Sequence, residues 1–199
     1  MSEREVERIR GEETLYVRDR QEWRAWLDRN HDRVEAVWLI YPKKHTGNPR
    51  IPYADAVEEA LCFGWIDSTA RRIDDDTYAQ RFSRRKRKSA FSQPNIERMR
   101  RLIRQGRMTP AGLAVVADPS ILEADRPLVI PPDILGALQE DHEVWDNFRN
   151  FPAVYQRIRI SYLEDGRRHG REEFDRRLAH LMRKTKANRM FGFGGVQTE

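Results

Sequence analysis

The sequence predicts an α+β fold: a small antiparallel sheet of about three strands packed with helices, followed by a helical C-terminal portion. Three observations lead to this prediction. Residues 36–41 form a continuous apolar, β-branched and aromatic run, which is typical of a buried strand. Two further runs flank an acidic turn at residues 74–77, as in a hairpin. Beyond residue 131 the apolar residues recur at helical spacing.

The first part of the chain supplies helices that cover this sheet. Residues 1–13 alternate in charge and lack an apolar face, so we expect a frayed helix or a tail there. Asp19 and Glu22 have the spacing of a helix N-cap and its partner, and the apolar residues after them predict a short helix. Pro52 suits the first turn of a second helix, and Gly64 is expected to end it.

The hairpin and two more helices follow. Residues 65–73 and 78–84 are the two predicted hairpin strands. A third helix is predicted to begin near residues 92–95 and to end at Gly106. Thr109, with a proline directly behind it, has the pattern of an N-cap at the start of a fourth helix.

Composition divides the chain into three parts. Residues 118–131 contain Asp-Pro-Ser at one end and prolines towards the other, which is typical of a linker. We therefore predict an α+β body over residues 1–117, a linker over 118–131 and a helical portion over 132–199. Within that portion the apolar residues of 174–182 follow the spacing of an amphipathic helix.

The overall composition limits the class of protein. The chain has 199 residues, 39% of them hydrophobic, which is enough to bury a core. No apolar run approaches the roughly 20 residues of a membrane-spanning helix. A single cysteine excludes an internal disulfide, and the N-terminal residues lack the apolar stretch of a secretory signal, so we expect a cytoplasmic location. No feature of the sequence fixes an oligomeric state.

The positive charge is concentrated in one segment. Residues 81–107 hold eleven Lys and Arg against one acidic residue, a net charge of +10 in a chain whose total is +5. Such an array attracts phosphate chains, and Tyr78, Phe82 and Phe91 are placed to stack on bases. The alternative is a solvated edge strand with an Arg-rich helix face that pairs with the acidic body. The candidate anion-binding residues are Arg81, Arg84, Arg85, Lys86, Arg87, Lys88, Arg101 and Arg104.

Asp67 marks a second candidate site. It follows Trp65 at the start of a predicted strand, where a carboxylate is partly buried, with Lys43, Lys44 or Arg81 as expected partners. A carboxylate in such a place can bind a small polar ligand or take part in acid–base chemistry. The alternative is an ion pair that fixes strand register. The candidate pocket residues are Lys43, Lys44, Trp65 and Asp67.

The other reactive side chains do not form a recognised site. Cys62 lies in the apolar end of the second helix, where a free cysteine behaves as a small hydrophobic residue. The five histidines show neither an i, i+4 pair nor a His-Glu-x-x-His motif, so no metal site and no cofactor is predicted. No catalytic residue is assigned.

Four short motifs resemble the YdeI/OmpD-associated family, also described as OmdA or bacteriocin-protection. They are residues 60–68 (Ala-Leu-Cys-Phe-Gly-Trp-Ile-Asp-Ser), 81–85 (Arg-Phe-Ser-Arg-Arg), 88–92 (Lys-Ser-Ala-Phe-Ser) and 106–112 (Gly-Arg-Met-Thr-Pro-Ala-Gly). The resemblance covers residues 23–112 and continues more weakly from residues 131–135 into the C-terminal helices. The chain departs from the family at Ser83, where proline is common, at Phe91, where tryptophan is common, and in the turn at 167–170.

The resemblance implies a bacterial protein tied to envelope stress or to bacteriocin and cationic-peptide resistance, with no established catalysis. Combined with the charge pattern, it predicts a non-enzymatic protein whose basic surface binds nucleic acid or another polyanion. Two alternatives stay open. One is a small-molecule-binding protein or enzyme with its pocket around Trp65 and Asp67, and the other is a protein partner docked on the C-terminal helices or on the tail at 191–195.

Overall fold

The computed structural model describes residues 8–86, 89–123 and 127–192. Within them, one sheet contains five strands: β1 (Arg8–Ile9), β2 (Glu12–Tyr16), β3 (Ala36–Pro42), β4 (Trp65–Arg72) and β5 (Thr77–Arg84). The α-helices of the same residues are α1 (Arg20–Asn30), α2 (Tyr53–Cys62), α3 (Gln93–Arg104), α4 (Pro110–Ala114), α5 (Pro132–Gln139), α6 (His142–Asn150), α7 (Ala153–Arg167) and α8 (Arg171–Lys186). Short 3-10 turns lie at Lys44–Thr46 and Pro119–Leu122.

The chain divides into two compact units. The sheet unit comprises Met1–Ala90 and Arg98–Ser120, and the helical unit comprises Phe91–Glu97 and Ile121–Glu199. The boundary after Ser120 falls inside the predicted linker, but part of α3 also belongs to the helical unit. The division into a body over residues 1–117, a linker over 118–131 and a helical portion over 132–199 stays a prediction.

The α+β class is correct, but the prediction of about three antiparallel strands is wrong. The sheet has five strands in the order β1-β2-β3-β5-β4, and β2 runs parallel to β3. The missed strands β1 and β2 lie mostly in the segment read as a frayed helix or tail. Their side chains are largely half-buried or exposed, so no apolar run marks them. Helix α1 forms the crossover that a parallel pair of strands requires.

The predicted helix signals of the sheet unit are confirmed. The Asp19 side chain caps α1 by accepting a hydrogen bond from the backbone N–H of Glu22 at 2.9 Å. Gly64 follows the end of α2 with a φ of +75°, a conformation that glycine adopts without strain. The Thr109 hydroxyl caps α4, because it accepts from the backbone N–H of Gly112 at 3.3 Å.

An aromatic cluster fills the core between α1 and the sheet. The ring of Trp23 lies 5.5 Å from Phe82 and 6.5 Å from Trp65, and all three side chains are almost fully buried. Each indole N–H has a backbone partner: Trp23 donates to the Ala56 carbonyl at 3.0 Å, and Trp65 donates to the His31 carbonyl at 3.2 Å. These bonds satisfy the polar atoms of two of the largest buried side chains.

A close approach between α4 and the end of α2 requires a glycine. A Cβ at Gly112 would lie only 2.2 Å from the carbonyl oxygen of Cys62, whereas a Cβ at Gly136, in α5, would meet nothing within 4 Å. We expect Gly112→Ala to lower the free energy of unfolding by about 1–3 kcal/mol, because the backbone must move apart. The matched change Gly136→Ala should raise it by about 0.5–1 kcal/mol. Urea titrations followed by circular dichroism measure both, and equal effects would contradict the close packing.

The helical unit has its own core. Its buried residues come from all four helices α5–α8 and from the α6–α7 junction: Ile134, Leu138, Val144, Phe148, Phe151, Tyr155, Ile160, Leu163, Phe174 and Leu181. Asp141 caps α6 by accepting from the backbone N–H groups of Glu143 and Val144, at 3.0 and 3.3 Å. Among the helices the structure describes, none combines the length and apolar character needed to cross a bilayer.

Candidate functional site

Strand register places several polar side chains on the helix-covered face of the sheet. Tyr41 of β3 pairs with Tyr78 of β5, and Asp67 of β4 pairs with Phe82 of β5. Directly paired residues share a face, and alternate residues of a strand point the same way. Since Phe82 contacts Trp23 of α1, Asp67, Tyr78 and Tyr41 lie on the side that the helices cover.

Helix α2 adds a further tyrosine above this face. Tyr53 is the first residue of α2, and its hydroxyl donates a hydrogen bond to Oδ2 of Asp67 at 2.5 Å. Burial of the hydroxyl, followed by its bond to the Asp67 carboxylate, raises the pKa of Tyr53 above its usual value. The phenol therefore keeps its proton at neutral pH. The Tyr53 side chain is 47% exposed, so it lies at the rim of the group.

Tyr41 lies at the buried end of the same group. It is 1% exposed, and its ring stacks on Tyr78 with centroids 5.0 Å apart. Its hydroxyl has no hydrogen-bond partner among the described residues. Burial raises the pKa of Tyr41. The charge of Asp67 raises it further, while that of Arg50 acts in the opposite direction. We call Tyr41, Tyr53, Asp67 and Tyr78 the tyrosine–aspartate cluster.

Charged and amide groups surround the tyrosine–aspartate cluster. Arg98 of α3 is buried, which lowers the pKa of its guanidinium, while the nearby carboxylates of Glu58 and Asp67 act in the opposite direction. Gln80, between Tyr78 and Phe82 on the same face of β5, is also buried. The cluster and its surroundings therefore combine phenol, carboxylate, amide and guanidinium groups beside stacked aromatic rings. Such a set can hold a small polar molecule by hydrogen bonds.

The structure brings together only part of the predicted pocket. Trp65 is fully buried beside the cluster, and Asp67 is a member of it. Lys43 instead lies at the hairpin turn, where its Nζ donates to the carbonyls of Asp74 and Asp75 at 3.1 and 2.8 Å. Its backbone N–H donates to the Asp76 carbonyl. Asp76 precedes Phe82, the strand partner of Asp67, by six residues, which corresponds to about 20 Å along the strand. Lys44, the next residue, begins the 3-10 turn at the same end.

Four of the six described residues predicted to bind anions are not free on the surface. Arg81 faces the opposite side of the sheet and donates to Glu12 at 2.6 and 2.7 Å, so it is not the partner of Asp67. Arg84 lies 3.2 Å from Glu35, and Arg101 pairs with Glu58. Arg85 is buried and donates to the Ser89 and Ala90 carbonyls. Lys86 and Arg104 are exposed, while Arg87 and Lys88 lie outside the described residues.

Two buried glutamates, unforeseen from the sequence, organise these arginines. Glu59 of α2 is fully buried; its carboxylate accepts from Arg24 at 2.7 Å and from Arg107, and it lies 3.6 Å from Arg20. Glu58 accepts from Arg20 at 2.7 Å and from Arg101. We call this set, with Asp55, the glutamate–arginine network. It joins α1, α2, α3 and the segment before α4 by ion pairs.

The thiol of Cys62 is a poor nucleophile. The residue is fully buried, and burial, together with the nearby Glu59 carboxylate, raises the pKa of its thiol to about 11. Only the thiolate reacts, and almost none is present at neutral pH. Among the described residues, no group of three or more His, Cys, Asp or Glu side chains is placed to hold a metal ion.

The fold and the cluster define an α+β protein with a mixed-sheet unit, a helical unit and a polar group beneath α2. A profile of a domain of unknown function, DUF8412, matches residues 15–115, just over half of the chain. The chain therefore belongs to that family. Residues 127–188 match a second family, described as "Bacteriocin-protection, YdeI or OmpD-Associated" (OmdA).

The second match confirms the family predicted from the sequence, but not the place of the strongest likeness. The quoted motifs lie within residues 60–112, which fall in the DUF8412 match, whereas the OmdA match covers α5–α8 up to residue 188. No curated protein and no solved structure gives a significant match.

Proposed function

We propose that this chain is a binding protein of the YdeI/OmpD-associated type, and that its sheet unit takes up a small polar molecule at the tyrosine–aspartate cluster. One observation carries the proposal: the hydroxyl of Tyr41 is buried without a partner among the described residues. A buried polar group left unpaired costs about 1–3 kcal/mol, and folded proteins rarely keep one without a reason.

The surroundings of Tyr41 fit a ligand that both donates and accepts hydrogen bonds. Oδ2 of Asp67 is used by Tyr53, which leaves Oδ1 as an acceptor for a ligand hydroxyl or amide. The Tyr41 hydroxyl, which stays protonated, serves as a donor. The exposed Tyr53 at the rim gives an entry beside the first turn of α2. A neutral polar molecule suits this set best, since the surroundings hold one carboxylate, Asp67, and one nearby guanidinium, Arg98, of opposite charge.

Removing the Tyr41 hydroxyl tests whether it is unsatisfied. We expect Tyr41→Phe to raise the free energy of unfolding of the ligand-free protein by about 1 kcal/mol, because an unpaired buried hydroxyl disappears. The matched control is Tyr16→Phe, since the Tyr16 hydroxyl donates to the Pro49 carbonyl. That change should lower the free energy by about 0.5–1.5 kcal/mol. Urea titrations compare the two, and a loss of stability in Tyr41→Phe would mean that the hydroxyl serves only the fold.

A thermal-shift screen of neutral polar metabolites tests the binding itself. A ligand at a hundred times its Kd stabilises the folded state by about 2.7 kcal/mol. We expect such a shift in the wild type and in Tyr16→Phe, and its loss in Tyr41→Phe and Asp67→Asn. A shift that persists in both cluster variants would place the ligand elsewhere.

An anionic partner is a second candidate, favoured by the net charge of +10 over residues 81–107. Of the described residues predicted for it, Lys86 and Arg104 remain exposed, while Arg81, Arg84 and Arg101 are neutralised by carboxylates. Anisotropy titrations with single- and double-stranded nucleic acid at two salt concentrations test this candidate. Phosphate contacts predict affinity that falls steeply with salt, and Lys86→Glu with Arg104→Glu should abolish it.

A further inference from the structure

Arg159 of α7 is a buried arginine whose surroundings differ from those of the neighbouring arginines. It is 5% exposed, and within the described part of the chain no carboxylate lies within ion-pair distance of it. Its Nη2 donates to the Gly192 carbonyl, and its Nε is buried without a partner. The arginines Arg157, Arg171 and Arg177 of the same helix pair contact carboxylates at 2.6, 2.9 and 2.6 Å. Among the described residues, Arg159 therefore lacks the carboxylate partner that the neighbouring arginines have.

Aromatic rings enclose the Arg159 guanidinium. Its central carbon lies 5.6 Å from the ring centroid of Tyr155, 5.1 Å from Tyr162 and 4.8 Å from Phe191. Cation–π contacts offset part of the cost of burying the charge. They supply no anion, and a buried cation without one is normally expensive. Burial accordingly lowers the pKa of Arg159.

More positive charge lies on α8. The ring of His180 packs 4.5 Å from Phe191, the same ring that Arg159 contacts. Arg183 donates to Nδ1 of His180 at 3.2 Å, which places the His180 proton on Nε2. Burial, and then the charges of Arg183, Lys184 and Arg159, lower the pKa of His180. Each of these groups can offer an N–H to an oxygen atom. We call Arg159, His180, Arg183 and Lys184 the Arg159 site.

We propose that the helical unit binds a small oxyanion, a phosphate or carboxylate group, at the Arg159 site. Arg159 supplies the buried charge, and the Nε2–H of His180 donates to an anion oxygen. Arg183 and Lys184 stabilise the negative charge from the surface side. The organic part of the ligand is apolar and packs on Tyr162, a residue that is 40% exposed and whose ring contacts both Arg159 and Arg177. This site lies in a different unit from the tyrosine–aspartate cluster and takes an anionic ligand instead of a neutral one, so it does not depend on the function proposed above.

Calorimetric titration with phenyl phosphate and with benzoate tests the site and separates the two anion types, and benzyl alcohol is the uncharged comparison. We expect one of the two anions to bind the wild-type chain and benzyl alcohol not to bind. Arg159→Gln should weaken binding by at least about tenfold, because a hydrogen bond to a charged group is lost. Arg183→Gln, at an exposed position, should weaken it several-fold. The matched control Arg176→Gln removes an exposed arginine of the same helix that pairs with Glu173, and should leave binding unchanged.

His180 provides a second readout. Its imidazole resonances should shift on addition of the bound anion, and the shift should be absent in Arg159→Gln. If Arg159→Gln unfolds the helical unit, Arg183→Gln decides the outcome. Absence of binding by both anions, or equal binding by wild type and Arg183→Gln, would overturn the proposal.

Discussion

Glu59→Gln is expected to lower the free energy of unfolding of the sheet unit by about 3–5 kcal/mol. The Glu59 carboxylate is fully buried and shared by Arg24, Arg107 and Arg20. The glutamine amide keeps the shape of the side chain but removes the carboxylate charge that all three guanidinium groups contact. The three guanidinium groups that remain are only partly exposed, so their charge is incompletely solvated once the carboxylate is lost. Urea titration monitored by circular dichroism gives the change directly.

An exposed ion pair provides the control for this substitution. Asp75 pairs with Arg72 at the hairpin turn, where both side chains face solvent. Asp75→Asn should change stability by no more than about 0.5 kcal/mol, as exposed substitutions usually do. If Glu59→Gln changes stability as little as Asp75→Asn does, the glutamate–arginine network is solvated and does not hold the three helices together.

Trp65→Ala is expected to cost about 3–5 kcal/mol of unfolding free energy. The side chain is 1% exposed, and its ring lies 6.5 Å from Trp23 and 5.7 Å from Trp26. Truncation leaves a cavity between α1 and the sheet and removes the indole N–H bond to the His31 carbonyl. Because the substitution changes fluorescence, far-ultraviolet circular dichroism is the appropriate measurement.

Trp26→Ala is the matched control, since Trp26 belongs to the same cluster but is only half-buried. It should cost clearly less than Trp65→Ala because less apolar surface loses its contacts. A loss under about 1 kcal/mol for Trp65→Ala would indicate that the start of β4 is exposed in solution.

Local signals in the sequence predicted local structure well. Asp19 and Thr109 act as helix caps at the predicted positions, because a cap depends on residues three or four apart. The hairpin of β4 and β5 was likewise visible from its two runs and acidic turn. The predictions that failed concern contacts between residues far apart in the sequence. Strand β2 pairs with a strand more than twenty residues away, and its charged residue Glu12 is accommodated by Arg81, which is 69 positions distant.

In the candidate site, too, the sequence indicated local features but not contacts between distant residues. Asp67 was identified because a carboxylate follows an apolar pair at a strand start, but its partner is Tyr53 and not a lysine. Tyr41 and Tyr78 come together only through the register of β3 on β5, which the sequence does not specify by itself. The basic segment was visible in the composition, yet composition cannot show that Glu12, Glu35 and Glu58 lie opposite its arginines.

Strand β2 also has a consequence for how the chain tolerates trimming. It covers one side of β3, whose seven residues are almost all buried and strongly β-forming. A fragment beginning at α1 would leave the backbone N–H and C=O groups of β3 open on that side. Such an edge recruits strands from other molecules, so shortened versions of the protein should aggregate even where every residue of the tyrosine–aspartate cluster is retained.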